Sequence, residues 1–210
     1  MSRFLVVFDV DSTLIEDEVI ELLAEAAGKR AEVKAITDSA MAGELDFAQS
    51  LAARVSMLAG VSESAIIETF NRVTITRGAV ELIEAIHRAG GKVAAVSGGF
   101  IQVLEPLAKR LNLDFYRANT LEVVDGKLTG KTIGQVVDRS VKAASLVEWS
   151  GELGLKPSQT IAVGDGANDL EMMAAAGLGV AFNAKPLVRA TADLVVAGES
   201  LESLIAILPR

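Results

Sequence analysis

The sequence contains no cysteine, which removes disulfides and thiolate chemistry at once and fits a reducing compartment. One Trp and one Tyr leave too few rings for a platform on which nucleic-acid bases could stack. There is no basic run and the net charge is -8, which argues against a broad surface for phosphate backbones or anionic membranes. One small anion, held by a few local donors and a cation, stays compatible with that balance. No apolar stretch is long enough to span a bilayer, and the chain enters a strand within three residues without a visible leader. A cytoplasmic protein is expected, with no nucleic-acid and no membrane partner. Prolines number only 4 in a chain that is half apolar, so the composition is globular rather than disordered. At 210 residues the chain has room for one domain with an insertion, or for two modest ones.

What is present is organised around Phe4-Leu-Val-Val-Phe-Asp9-Val-Asp11-Ser-Thr13-Leu14. The apolar run is too short for a globular helix and suits a parallel strand buried on both faces. It ends in two carboxylates spaced i,i+2. Open α/β sheets bind ligands outside the carboxyl ends of their strands, so this strand delivers two acids to the expected site. A plain capped turn, with Asp11 or Ser12 starting the next helix, accounts for one acid. It does not account for Asp9, an expensive charge at the end of a buried strand.

From residue 16 to about 75 the pattern is helical. Acids at 16–18 precede an apolar-periodic stretch that reaches Gly28, and a second such stretch covers 29–41. Asp46 is placed to cap a third helix, and Ser62 to cap a short one over 63–70. Alternation then resumes: helix 78–89, strand 92–96, a helix containing Pro106, a short strand at 115–118, and a hairpin centred on Asp125-Gly126. A helix over 140–153, a strand over 160–163, a helix over 170–176 and two short strands complete the sheet, before a last stretch over 201–208. The expected fold is an α/β protein: a three-layer α/β/α Rossmann-like core with a mostly parallel sheet and an inserted small helical cap domain. The expected division is 1–14 and 76–210 for the core and 15–75 for the cap.

Several polar or glycine-rich tips converge in such a sheet: Asp9 and Asp11, Ser97-Gly98-Gly99, and Asp165, Asn168 and Asp169. Like charges gathered there raise one another's pKa unless a cation joins them. A hard divalent ion such as Mg²⁺, taking oxygen ligands, is the natural partner. The alternative for Asp165 and Asp169 is a shaped loop and a helix cap. Lys142 opposes the dipole of the helix it begins, so it either points to solvent or meets an anion. Ser97 with the Gly98 and Gly99 amides can cradle phosphate oxygens, or be a plain strand-to-helix turn. Together the groups suit phosphoryl transfer: one acid as nucleophile, a second as proton donor and then base, and cations and donors for the transferring group.

Asp9-Val-Asp11-Ser-Thr13, Ser97-Gly-Gly-Phe100, Lys142 and Gly164-Asp165-Gly-Ala-Asn168-Asp169 occur in order and at suitable spacing. This set resembles the haloacid dehalogenase-like phosphatases over nearly the whole chain. The resemblance implies that Asp9 attacks phosphorus and that Asp11 protonates the leaving oxygen and then activates water. It implies Mg²⁺ on Asp9, the main-chain carbonyl of Asp11, and Asp165, with Asp169 supporting from outside. Ser97, the Gly98 amide and Lys142 would bind the phosphoryl group, Asn168 would help to position it, and Gly99 would support the turn. Glu18 and Arg54 read on their own as solvated helix residues. Read through the resemblance, they take the ammonium and carboxylate of a small phosphorylated amino acid, O-phosphoserine. Met41 and Phe47 form either ordinary packing or an apolar wall that excludes water. His87 is read as a surface residue in the last turn of a helix, not a catalyst. The alternatives are transfer to homoserine or hydrolysis of another small phosphate monoester, and, in a different class, a non-catalytic phosphate- or metal-binding module.

Overall fold

The computed structural model describes residues 2–42 and 44–209. Seven strands form one sheet: β1 (Leu5–Phe8), β2 (Lys92–Phe100), β3 (Phe115–Val124), β4 (Lys127–Ile133), β5 (Thr160–Gly164), β6 (Leu178–Phe182) and β7 (Leu194–Val196). Their order is β4-β3-β2-β1-β5-β6-β7. Every neighbouring pair is parallel except the β3–β4 hairpin at one edge. The first strand is therefore central, with its carboxyl end between those of β2 and β5.

Strand alternation divides the core in two. Phe4, Val6 and Phe8 face one way, against α5 (Ala79–Arg88), α6 (Ile101–Leu111) and the closing turn at Leu201–Ile207. Leu5 and Val7 face the other way, against α7 (Arg139–Glu152), α8 (Leu170–Ala175) and α9 (Pro186–Thr191). A sheet buried on both faces needs apolar residues at every position, which is what the run from Phe4 to Phe8 provides.

Among the described residues, four α-helices lie between β1 and α5: α1 (Val19–Ala26), α2 (Arg30–Met41), α3 (Phe47–Ser56) and α4 (Ser64–Arg72). Asp46 caps α3, accepting from the Gln49 amide at 2.8 Å. Ser62 does not cap α4. Its hydroxyl lies 2.9 Å from that of Ser64, and its backbone bridges to Lys127, so the hairpin competes for the position and wins. Asp125 and Gly126 make the expected turn with φ of 49° and 71°. The hairpin is also tied to the end of α3: the Gly60 amide donates to the Leu128 carbonyl, the Leu128 amide to that of Val61, and the Glu63 amide to that of Gly126.

Two strands run further than their apolar cores suggest. β2 continues through the glycines to Phe100 with a register break after Val96, and β3 runs on to Val124 because β4 pairs with its second half. α9 was not expected from the pattern, since only Val188 of its six residues is buried. His87 does sit in the last turn of α5, but it is bonded rather than free. Its Nε2 lies 2.9 Å from Asp114, which also takes Lys92 at 2.5 Å and the Val93 amide at 2.9 Å.

Candidate active site

Asp9 follows β1 directly, and its amide donates to the Val163 carbonyl at 2.9 Å, extending the register with β5. The chain then coils through one wide turn, Val10–Leu14, in which Ser12 takes a positive φ of 57°. This turn points Asp11 back at the start of α1, where its Oδ1 accepts from the Val19 amide at 2.8 Å. Asp11 therefore does cap a helix. Its other oxygen accepts from the Ser97 hydroxyl at 3.0 Å, and Ser97 accepts in turn from the Gly99 amide at 2.7 Å.

Lys142, in the first turn of α7, is fully buried rather than solvated. It donates to Asp9 at 2.6 Å and to Asp169 at 2.7 Å. The remaining oxygen of Asp169 accepts from the amides of Asp165 and Gly166, so this residue both shapes the loop and anchors the lysine. Asp165 takes the Thr13 hydroxyl at 3.4 Å.

Asp9, Asp165 and Asp169 each present a carboxylate oxygen within 4.8 Å of the other two. The side chain of Asp11 lies outside this cluster, engaged with Val19 and Ser97. Both oxygens of Asp169 are already occupied by donors, which suits a supporting place better than a direct ligand. Burial, and then the Asp169 charge, push the Asp9 carboxyl up to about 7 against the opposing pull of Lys142. Burial also raises Asp11, and it raises Asp165 well above the usual range with help from Asp9 and Asp169. Burial would lower Lys142, but Asp169 and Asp9 outweigh it and raise the ammonium. One ammonium cannot balance this many crowded acids, and the all-oxygen donor set fits a hard divalent cation.

Above the acids lies a cavity of about 30 Å³, lined among others by Asp9, Asp11, Glu18, Arg54 and Asn168. Met41, Phe47, Gly98 and Gly99 also border it. Ser97, Lys142, Asp165 and Asp169 stand behind this lining. Glu18 precedes α1 and accepts from the Ser12 hydroxyl at 2.7 Å. Burial and then the Asp11 charge push it up to about 8. Arg54 is 5% exposed, not solvated, and burial lowers its pKa. Asn168 Oδ1 is buried and has no hydrogen-bond partner among the described residues.

Two contributors were not singled out from the sequence. Asn119 is buried in β3 and clamps the glycine turn, donating to the Gly98 carbonyl at 2.8 Å and accepting from the Val137 amide at 2.7 Å. Thr13 was seen only as part of the opening motif, without a role. A lone Asn in a strand carries no local signal, because its partners are 21 and 18 residues away.

The haloacid dehalogenase-like hydrolase profile matches residues 6–174, and the chain belongs to that family. Within it, the chain is 53% identical over 204 residues to a phosphoserine phosphatase of Streptomyces coelicolor, covering 97% of this chain and 50% of the relative. It is 50% identical over 204 residues to a phosphoserine phosphatase of Streptococcus thermophilus, covering 97% of this chain and 95% of the relative. The chain thus spans about half the length of the first relative and nearly all of the second. A solved phospho-aspartyl intermediate analogue of phosphoserine phosphatase superposes with a TM-score of 0.97 at 40% identity, each chain covered in full. A substrate-bound phosphoserine phosphatase complex superposes at 0.96 and 39%, again with full coverage of both. Among the described residues no helix is long and apolar enough to cross a membrane.

Proposed function

We propose that the chain is an Mg²⁺-dependent phosphomonoesterase that hydrolyses O-phosphoserine to serine and phosphate through an aspartyl-phosphate on Asp9. One observation carries the reading. A cavity floored by Asp9 and Asp11 is also lined by one acid, Glu18, and one buried cation, Arg54. That is one partner for each charge of an amino acid whose phosphate faces the two aspartates. The names of the relatives and solved structures point the same way. In this reading residues 1–14 and 76–210 are the catalytic core, residues 15–75 are a cap over it, and the protein works in the cytoplasm.

The chemistry follows from the contacts. A carboxylate oxygen of Asp9 attacks phosphorus and the bond to the serine oxygen breaks. Asp11, whose raised pKa favours carrying a proton, gives that proton to the leaving oxygen. Asp11 then takes a proton from water as the water oxygen attacks phosphorus, and the bond to Asp9 breaks to release phosphate. Lys142, the Ser97 hydroxyl and the Gly98 amide balance charge on the transferring group. Asp9, Asp165 and the Asp11 carbonyl would hold Mg²⁺, which would supply further positive charge and favour the ionised carboxylates. Asn168 offers its unpartnered oxygen to the ligand or to its water. Met41 and Phe47 close the apolar side and keep bulk water out.

A screen of phosphate release from phosphoserine, phosphothreonine, phosphohomoserine, sugar phosphates and nucleotides, with and without Mg²⁺, tests the reading. Phosphoserine should lead, only with Mg²⁺ present, and Asp9→Asn should abolish release. A preference for another ester, or faster transfer to added homoserine than to water, would replace it.

A further inference from the structure

The five N–H donors of Arg54 are unequally committed. Nε donates to the Ser50 carbonyl one turn back at 3.2 Å, and Nη1 donates to the Thr37 hydroxyl at 3.1 Å. Nη2 has no hydrogen-bond partner among the described residues, and Arg54 lines the cavity that holds Asp9. Thr37 sits on α2, while Arg54 and Ser50 sit on α3, so the hydroxyl reaches across from a separate helix.

Thr37 is 2% exposed, and its single hydroxyl proton is given to the Val33 carbonyl at 3.0 Å. A hydroxyl has one proton and two lone pairs. With the proton spent inside α2, only lone pairs face Arg54, and a guanidinium can only donate. The orientation of the pair is therefore fixed before any ligand arrives. With Nε and one N–H of Nη1 held, the end-on pair made by the other Nη1 N–H and Nη2 is left for a ligand in the cavity that Arg54 lines, the planar arrangement that receives a carboxylate with two parallel bonds.

We infer that Thr37 is a positioning residue for the substrate carboxylate, acting through Arg54 and not through the phosphoryl site. The inference rests on the proposed function and adds to it a residue on a helix that does not carry the arginine. A contact made equally in the ground and transition states moves KM and leaves kcat in place.

The test compares wild type, Thr37→Val, Thr37→Ala and Thr37→Ser on phosphoserine and on phosphoethanolamine, which lacks the carboxylate. Thr37→Val should raise KM for phosphoserine by about tenfold, in the range expected when a buried donor loses its acceptor, with kcat within about twofold. Thr37→Ala should do the same if the valine variant folds poorly, and Thr37→Ser, which keeps the oxygen, should restore KM. On phosphoethanolamine the variants should match wild type, and Thr37→Val in an Arg54→Ala background should cost nothing more. Unchanged KM for phosphoserine in both apolar variants overturns the inference while the proposed function stands. Equal losses on both substrates also overturn it, as general damage to the fold. A wild-type chain that turns over phosphoethanolamine but not phosphoserine overturns the proposed substrate, and the inference with it.

Discussion

Phe47 lies so close over Gly98 that a Cβ at position 98 would come within 2.7 Å of its Cζ. The first residue of α3 thus rests on the turn whose amide is proposed to meet phosphate. The pair joins the helical segment to the sheet at the lining of the cavity.

Gly98→Ala should force this contact apart. Overpacking of this kind costs roughly 1–3 kcal/mol of folding stability, and the displaced turn should separately lower kcat/KM for phosphoserine by about tenfold or more through misplaced phosphate donors. Far-ultraviolet circular dichroism should be unchanged, because the glycine is at the surface of the core. Adding Phe47→Leu should return part of the lost activity; a double variant no better than the single one would show that the clash is not the cause.

Lys142 stands between Asp9 and Asp169 with no access to solvent. Lys142→Met leaves two buried carboxylates without their cation, a class of change that costs about 3–5 kcal/mol. Phosphate release should vanish and the melting temperature should drop. The drop should be smaller at pH 5 than at pH 8, because Asp9 takes up a proton below about 7 and the repulsion relaxes.

The metal-free protein should lose stability as pH rises from about 4 to about 7. Asp9 is raised to about 7 from 3.8 and Asp165 is raised as well, so across this window the folded state holds protons that the unfolded chain has released. The stabilising contribution is complete below about 4 and is lost as pH climbs through the folded values. Melting curves in chelator and in Mg²⁺ between pH 4.5 and 8 check this: the gain from Mg²⁺ should grow with pH. A gain independent of pH would contradict it.

Asp114 serves as a structural control. Burial tends to raise its carboxyl, but Lys92, the Val93 amide and His87 outweigh that and hold it below the usual value. Its contribution is present at neutral pH and disappears as pH falls below about 4. Asp114→Ala removes the acceptor for the Val93 amide, so stability should fall by about 1–3 kcal/mol at pH 7, with kcat unchanged at 25 °C. Chemical denaturation beside a phosphate-release assay separates the two readouts.

Much of this was legible along the chain. The apolar run before Asp9, the Asp-Gly turn and the ordered acidic and glycine motifs are local signals, and each names its own element. Lys142 and Arg54 were legible as residue types but not as environments. The helix dipole left Lys142 either in solvent or against an anion, and Arg54 read on its own as a solvated helix residue; tertiary packing puts one between two aspartates and the other beside Thr37. Ser62 misled because a side-chain cap and a main-chain bridge compete for the same residue, and the bridge to Lys127 comes from a strand 65 positions later. Asn119 and Thr37 were invisible for the same reason: a buried polar side chain announces itself only through a distant partner.

The cross-links between the hairpin and the turn after α3 bear on how anything enters a space that small. With Gly60, Val61 and Glu63 sharing main-chain bonds with Gly126 and Leu128, that flank of the roof is stapled to the edge of the sheet. Any widening of the cavity is expected on the other side, where Met41 lies against Gly166 and Phe47 against Gly98 and where, among the described residues, no main-chain bond of this kind reaches the sheet.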